Sequence, residues 1–243
     1  LSTDPIEFRL LNPVDAGDAN MMCPPYIRIG LRQRHELPRN HEHYKSAVSD
    51  GAGGGMAMGY WINAGMQSSA TLNVIADGHV SILTGSPDIG GSRASMALMA
   101  SEVLGIPFEH IHPQVAATDA VGHCDVTGGS RTTLATGQAV IQAAEQCVAE
   151  MCRRAAAEWE VEPGVVAWSQ GAAHYGDQSL TFEELASRAG AMGGPLTFST
   201  SLTSTSTAPG FGVHICDAEV DKETGRPTIT RYTAIQDAGK PIH

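Results

Sequence analysis

The sequence predicts an α+β fold, a layered domain in which helices pack on a mainly antiparallel or mixed sheet. Two β-hairpins are indicated by strand-forming residues on both sides of a turn. The turn is Asp77-Gly78 in the first hairpin and residues 221–225, which end in glycine, in the second. A long helix is indicated over residues 133–158. Hairpins mixed with helices, rather than a strict alternation of strand and helix, disfavour a regular Rossmann fold.

The other elements are predicted from periodicity and from signals at helix ends. The long helix carries an apolar stripe at helical spacing, formed by Ile141, Ala144, Val148, Met151 and Ala155. An earlier helix is expected to end at Gly105, since Pro107 follows. A short helix is expected to begin at Thr181, where Glu184 completes a capping box. The polar segment 197–207 fits either a linker or, as we expect, an extended strand.

The composition excludes several classes of partner. The 243-residue chain has a formal net charge of −11 and no run of Lys and Arg, so we do not expect it to bind nucleic acid. It has no apolar stretch of about 18 residues, so no membrane span is expected. Five cysteines without a Cys-x-x-Cys pair indicate neither a disulfide scaffold nor a zinc site, and they fit a reducing cytoplasm.

The sequence divides into an arm and one domain. Residues 1–54 are rich in Pro, Arg and His and lead into a glycine-rich stretch, so we expect an N-terminal arm or the tail of a preceding domain. Residues 55–243 are expected to form an incomplete α+β domain. Because the chain begins with Leu1 instead of Met, we expect it to be an internal piece of a longer protein.

Two Gly-Gly-Ser-Arg tetrapeptides, each placed just before a predicted helix, are the most informative local feature. Paired glycines let backbone N–H groups approach a ligand, the helix start adds partial positive charge, and Arg can clamp an oxyanion. The second tetrapeptide adds threonine hydroxyls. The residues that we expect to bind an anionic, dinucleotide-like ligand are Gly90, Gly91, Ser92, Arg93, Thr127, Gly128, Gly129, Ser130, Arg131, Thr132 and Thr133.

A structural alternative exists for the same two tetrapeptides. They also fit tight helix entries capped by serine, in which each arginine pairs with a surface carboxylate. Neither matches a dinucleotide-binding Gly-x-Gly-x-x-Gly or a P-loop. No hydrolase signature is present, and no residue of the chain is assigned a catalytic role.

Two histidine pairs are weak candidates for a metal site. Residues 41–43 (His-Glu-His) lack evident further ligands, so a solvated surface is expected there. His110 and His112 would share one face of a strand, which we expect to be a sheet surface. We therefore assign no metal ligands.

Four segments in order along the chain resemble the large subunits of the xanthine dehydrogenase, aldehyde oxidase and carbon monoxide dehydrogenase family. The first matches the family's Asp-Pro-x-x-x-Arg-x-x-Asn element, the second and third contain the two Gly-Gly-Ser-Arg tetrapeptides, and the fourth contains a Val-Asp-x-x-Thr-Gly turn. They are Asp4 to Asn12, Thr84 to Pro107, Thr118 to Val140 and Pro209 to Gly239.

The resemblance implies a molybdenum cofactor-binding domain that is part of a molybdenum hydroxylase acting on an aldehyde or an N-heterocycle. It also implies a molybdopterin dinucleotide with molybdenum, with cytosine as the nucleotide base. Iron–sulfur clusters and FAD are then expected on partner subunits of the same complex. A homo-oligomer is expected for a separate reason, because a domain cut at both ends would leave apolar faces and sheet edges that self-association buries. The dinucleotide carries a pyrophosphate, which is the kind of group that the two loops are built to hold.

The sequence departs from the family pattern in two ways. The family's glutamine that faces the metal is replaced by Gly90, and a second glutamine is replaced by Leu98. The upstream cofactor segment and the glutamate base of the family are both expected outside residues 1–243. The chain alone is therefore expected to be inactive, and a non-catalytic nucleotide-binding or anion-binding domain and a purely structural domain remain alternatives.

Overall fold

The computed structural model describes residues 2–19, 25, 37–63, 65–205 and 208–239. The helices with both ends in these ranges are α1 (Pro5–Leu10), α2 (Glu42–Lys45), α3 (Ser92–Leu104), α4 (Gly137–Glu158) and α5 (Phe182–Ser187). Residues 37–40 are also helical. A π-helical turn, Thr132–Thr136, leads into α4, and 3₁₀ turns lie at Phe108–His110 and Pro163–Val165.

The strands form three sheets. They are β1 (Ala52–Trp61), β2 (Met66–Val74), β3 (Val80–Thr84), β4 (Ile111–Val115), β5 (Ala167–Ser169), β6 (Ala172–Tyr175), β7 (Gln178–Thr181), β8 (Leu196–Ser204), β9 (Gly210–Val220) and β10 (Pro227–Asp237). The strand orders are β1-β9-β10, β4-β3-β2-β8 and β5-β6-β7. Only the β3/β4 pair is parallel among these strands, so the α+β class and the mixed sheet that the sequence predicted are confirmed.

The described residues form two compact units, and the division along the chain falls after Ile62 and again after residue 206. This division differs from the expected arm 1–54 and domain 55–243. The physical reason is strand pairing, because β1 pairs along its whole length with β9 and so joins the C-terminal hairpin. Residues 20–24 and 26–36 of the expected arm lie outside the described residues.

The first unit contains α1, α2 and the sheet β1-β9-β10. Inward-facing residues alternate along β9, where Phe211, Val213 and Ile215 are buried. Asp4 caps α1 by accepting from the backbone N–H groups of Ile6 and Glu7. A cavity of about 210 Å³ lies between the two helices and the sheet.

The second unit holds the main core. Helices α3 and α4 pack against each other, and α4 covers one face of β2 and β8. The core is made of aliphatic residues of the strands and small residues of the helices, including Leu72, Val80, Ile82, Ala100, Leu104, Val140, Ala144 and Met151.

The other face of the four-stranded sheet is polar. Along β8 the residues Thr197, Ser199, Ser201 and Thr203 are exposed, and they alternate with buried or half-buried ones. This period of two explains why a segment with the composition of a linker forms a strand. Residues 206 and 207 at its end lie outside the described residues.

Several local predictions of the sequence are confirmed. The hairpin β2/β3 turns at Asp77-Gly78. Helix α3 ends at Gly105, whose φ of +72° is left-handed. The capping box of α5 is complete, since Thr181 accepts from the Glu184 N–H and Glu184 accepts from the Thr181 N–H.

The end of α3 touches the β5/β6 turn through two glycine backbones. A Cβ placed on Gly105 would lie 2.4 Å from the backbone nitrogen of Gly171, which cannot move aside. Gly171 is itself left-handed, with a φ of +70°. The helix and the small sheet therefore meet at a distance that only glycine permits.

We expect the substitution Gly105→Ala to lower the free energy of unfolding by about 2 to 4 kcal/mol, because left-handed strain and overpacking add. Urea unfolding followed by circular dichroism measures this loss. Gly176→Ala is the matched control, since Gly176 is also left-handed but would place its Cβ in open space. Its loss should be about 1 kcal/mol. Equal losses for the two variants would contradict the steric argument.

Candidate functional site

The first loop, residues 88–93, has an internal carboxylate in the place where a ligand anion was expected. Gly90 and Gly91 are both left-handed, with φ of +110° and +78°, and α3 starts directly after them. Asp88 Oδ1 accepts from the Gly90 N–H at 3.0 Å, from the Ser92 N–H at 3.1 Å and from the Ser92 hydroxyl at 2.7 Å. Arg93 Nε donates to Asp88 Oδ2 at 2.7 Å.

These contacts change the interpretation of the loop. The Arg93 side chain, followed by the Ser92 hydroxyl and the Gly90 N–H, holds the pKa of Asp88 well below its ordinary value. Four of the donors expected to hold a ligand phosphate, namely the Gly90 N–H, the Ser92 N–H and hydroxyl and the Arg93 Nε–H, are thus engaged by Asp88. The sequence analysis missed Asp88, although an aspartate two residues before a glycine is a recognisable turn signal.

The second loop, residues 127–131, turns through two left-handed residues. These are Gly129, with a φ of +64°, and Ser130, with a φ of +58°. For a residue other than glycine this conformation costs about 1 kcal/mol. Gly128 and Ser130 are exposed, and the π-helical turn Thr132–Thr136 begins immediately afterwards. The backbone of this loop therefore faces solvent at the start of a long helix.

Arg131, which closes the second loop, is fully buried. Its Nε donates to the Gly65 carbonyl and its Nη1 to the Asp125 carbonyl, each at 3.0 Å. Its Nη2 donates to the Gln67 carbonyl and to the Ser68 hydroxyl. This interior position differs from the exposed phosphate clamp that the sequence suggested, because all three guanidinium nitrogens donate to protein acceptors.

The threonines of the second loop differ from Arg131 in their hydrogen bonding. The Oγ1 atoms of Thr127 and Thr132 are buried and have no hydrogen-bond partner among the described residues. The Thr132 residue is 4% exposed, whereas Thr133 is half-buried. Buried hydroxyls are normally satisfied. These two atoms at the edge of an exposed backbone turn therefore fit a ligand that brings polar atoms of its own.

A cluster of polar side chains lies behind the two loops. It contains Ser68, Ser69, Thr84, Ser86, Cys124 and Thr136, and the sequence analysis assigned none of them to the site. Burial opposes ionisation of Cys124, but hydrogen bonds from the Ser69 N–H and from the Thr84 and Ser86 hydroxyls outweigh it and lower the thiol pKa to about 7. Isolated serines and threonines carry no sequence signal, since their meeting depends on strand register.

The histidine candidates do not form a metal centre. The ring of His79 lies 4.7 Å from that of His110 and 5.4 Å from that of His112, centroid to centroid. Over the described ranges, no group of three His, Cys, Asp or Glu residues is arranged to hold a metal ion.

His43 corrects the expectation of a solvated surface for residues 41–43. It is buried, with Nδ1 2.8 Å from Thr233 Oγ1 and Nε2 3.3 Å from Asp217 Oδ2. The reason is that α2 lies against the sheet of the first unit, on the side of Asp217.

We expect Arg131→Ala to lower the free energy of unfolding by about 3 kcal/mol or more, because several buried acceptors lose their only charged donor. Arg93→Ala is the matched control. Arg93 is exposed and, among the described residues, pairs with Asp88 alone, so its loss should stay within about 1 kcal/mol. Thermal unfolding of both variants measures the difference. An Arg131→Ala chain as stable as the Arg93→Ala chain would contradict the anchoring role.

The rate of alkylation of Cys124 should rise as the pH increases through about 7, because the thiolate is the nucleophile and forms above the thiol pKa. Cys147 is the internal control, since burial raises its pKa to about 12. Iodoacetamide labelling across the pH range, followed by peptide mass spectrometry, separates the two sites. A Cys124 midpoint near the ordinary thiol value would show that the surrounding donors do not act on it.

Comparison with known proteins identifies the family. The family model described as a molybdopterin cofactor-binding domain matches residues 31–243. The aldehyde oxidoreductase molybdenum-binding subunit PaoC of Escherichia coli K12 is 27% identical over 261 aligned positions, which cover 99% of this chain and 33% of that protein. The xanthine dehydrogenase of Drosophila subobscura is 40% identical over 81 residues, or 33% of this chain and 6% of that protein.

Solved structures show the same fold. Quinoline 2-oxidoreductase from Pseudomonas putida 86 superposes with a TM-score of 0.78 at 18% identity, covering 93% of this chain and 33% of that chain. The Cu,Mo-CO dehydrogenase superposes with a TM-score of 0.73 at 24% identity, and the match covers 88% of this chain and 30% of that chain.

The match is to part of a larger protein in each case. The chain spans about a third of the length of PaoC and of the structures that it matches. None of the described helices is long and apolar enough to cross a membrane. With a family model that covers most of its length and a shared fold, the chain belongs to the molybdopterin cofactor-binding domain family.

Proposed function

We propose that this chain binds the phosphate end of a molybdopterin dinucleotide, in its cytosine form, at the second loop. The observation that carries the proposal is the pair of buried Thr127 and Thr132 hydroxyls that have no partner among the described residues. Leaving such a group unsatisfied costs roughly 1 to 3 kcal/mol. Phosphate oxygens would accept from both hydroxyls and remove that cost.

The backbone of the second loop supports the same role. Gly128 is exposed, and Gly129 and Ser130 turn the chain so that the helix start follows at once. Free N–H groups and partial positive charge at a helix start favour an anion. In this proposal the loop acts through its backbone and through Thr127, Thr132 and Thr133, while Arg131 fixes the loop from behind.

The first loop has a different role in the proposal. Asp88 already accepts from Gly90, Ser92 and Arg93, so a second anion there would meet a negative charge. At Gly90 and Gly91, however, no atom of the described residues, apart from the adjoining residues of the chain, lies within 4 Å of the position that a Cβ would take. We assign to these two glycines a surface that the cofactor approaches closely. The side chain of the family's glutamine would occupy the space that Gly90 leaves open.

The whole protein is proposed to be an oxidoreductase that hydroxylates an aldehyde or an N-heterocycle. The molybdenum cofactor would supply the oxidising centre, and iron–sulfur and FAD subunits would carry the electrons away. The relatives named above include an aldehyde oxidoreductase subunit, a xanthine dehydrogenase and a quinoline oxidoreductase, which supports the reaction class rather than one substrate. A homo-oligomer of the complete complex is part of the proposal.

The test is the substitution Thr132→Val in the full-length protein, produced in cells that make the cofactor. Molybdenum and acid-released cytidine monophosphate are measured for each polypeptide. We expect both to fall at least about tenfold, because the hydroxyl contact and its loop geometry are lost. Thr132→Ser keeps the hydroxyl and should retain the cofactor.

The same substitution in the 243-residue chain provides a second readout. Without a ligand the Thr132 hydroxyl is a buried group with no partner, so Thr132→Val should raise the free energy of unfolding by about 1 kcal/mol. Full cofactor content in the Thr132→Val protein would disprove the cradle. Guanosine or no nucleotide in the wild-type protein would disprove the cytosine form, and nucleotide without pterin or molybdenum would favour a non-catalytic nucleotide-binding domain.

A further inference from the structure

One buried hydroxyl connects the segments that carry the two loops. Thr136, the last residue of the π-helical turn, is fully buried. Its Oγ1 lies 3.0 Å from Ser68 Oγ and 2.8 Å from Ser86 Oγ. Ser86 stands two residues before Asp88 at the entry to the first loop, and Ser68 accepts from Arg131 of the second loop. The hydroxyl of Thr136 thus stands in the middle of a row of hydrogen bonds that runs from one loop to the other.

The direction of the hydrogen bonds along this chain follows from its charged end. A guanidinium only donates, so Ser68 Oγ is the acceptor of the Arg131 bond. A hydroxyl that accepts from a cation becomes a stronger donor, which favours the arrangement in which Ser68 donates to Thr136 and Thr136 donates to Ser86. The charge of Arg131 therefore polarises a row of hydroxyls that ends beside the first loop.

Each end of this row of hydrogen bonds is fixed to its loop by further contacts. On the first side, the Ser86 N–H donates to Thr84 Oγ1 at 3.2 Å, and Asp88 then holds Gly90. On the second side, Arg131 holds the carbonyls of Gly65 and Asp125. Neither loop can shift relative to the other without breaking a bond to Thr136 or a bond of these anchors.

We propose that Thr136 is a positioning residue that sets the spacing of the two loops, so that a change at one loop is transmitted to the other. The proposal rests on the proposed function for its purpose, since a dinucleotide that touches both loops requires a fixed distance between them. The π-helical turn that ends at Thr136 is consistent with this role, because such turns are rare and are often found at functional sites.

The first test reads the loops without any ligand. Amide hydrogen exchange is followed by NMR in the 243-residue chain at Gly90 and Ser92 for the first loop. For the second loop it is followed at Asp125, whose N–H donates to the Gln67 carbonyl at 3.1 Å and whose own carbonyl accepts from Arg131. The variant Ser86→Ala removes a group on the side of the first loop only. We expect exchange at Asp125 to rise about tenfold, because the row of hydrogen bonds loses its end.

The control variants separate coupling from general loss of stability. Thr136→Val should speed exchange at both loops, and Thr136→Ser, which keeps the hydroxyl, should match the wild type. Val140→Ala is buried one turn further along the same helix and destabilises the core without touching the chain of hydroxyls. Unchanged exchange at Asp125 in Ser86→Ala, or an equal rise in Val140→Ala, overturns the proposal.

The second test uses the full-length protein and its nucleotide content. Loss of cytidine monophosphate in Thr136→Val with recovery in Thr136→Ser is the expected result. If the Thr136→Val protein keeps its full content of cytidine monophosphate while amide exchange shows that the loops are uncoupled, the positioning role is overturned. A wild-type protein without nucleotide would refute the proposed function instead, while the exchange experiment would still decide whether the loops are coupled.

Discussion

The geometry of the second unit depends on the burial of one positive charge. Moving a guanidinium out of water is unfavourable by several kcal/mol unless its donors are matched. The donors of Arg131 are matched by three backbone carbonyls and one hydroxyl. The carbonyls of Gly65 and Gln67 and the hydroxyl of Ser68 lie at the start of β2, and the carbonyl of Asp125 lies before the second loop. These segments are held around the side chain, so the exposed turn at Gly129 is fixed by an interaction on its inner side.

This arrangement separates two tasks that the tetrapeptide was expected to combine. The arginine side chains of both loops bind the protein itself, Arg131 in the interior and Arg93 at Asp88. In the proposed site, contact with a ligand is left to backbone groups, to glycines and to threonine hydroxyls.

Local patterns in the sequence predicted much of the fold. The Asp77-Gly78 turn, the stop at Gly105 and the Thr181 capping box each depend on neighbouring residues and were confirmed. The pairing of β1 with β9 was not predicted, because it joins segments more than a hundred residues apart and leaves no local pattern. The same difference between local patterns and long-range packing applies to the site. The loops were found from their glycines, whereas the burial of Arg131 and the contact of Ser86 with Thr136 depend on tertiary packing.

The internal carboxylate of the first loop has a consequence for the order of events in maturation. Asp88 satisfies the Gly90 and Ser92 N–H groups in the chain by itself, so the loop takes its shape without a ligand. A site that is ordered in advance loses little conformational entropy when it is filled. Folding of this part of the chain can therefore be completed first, and in the proposed site an arriving cofactor would meet a surface that is already formed.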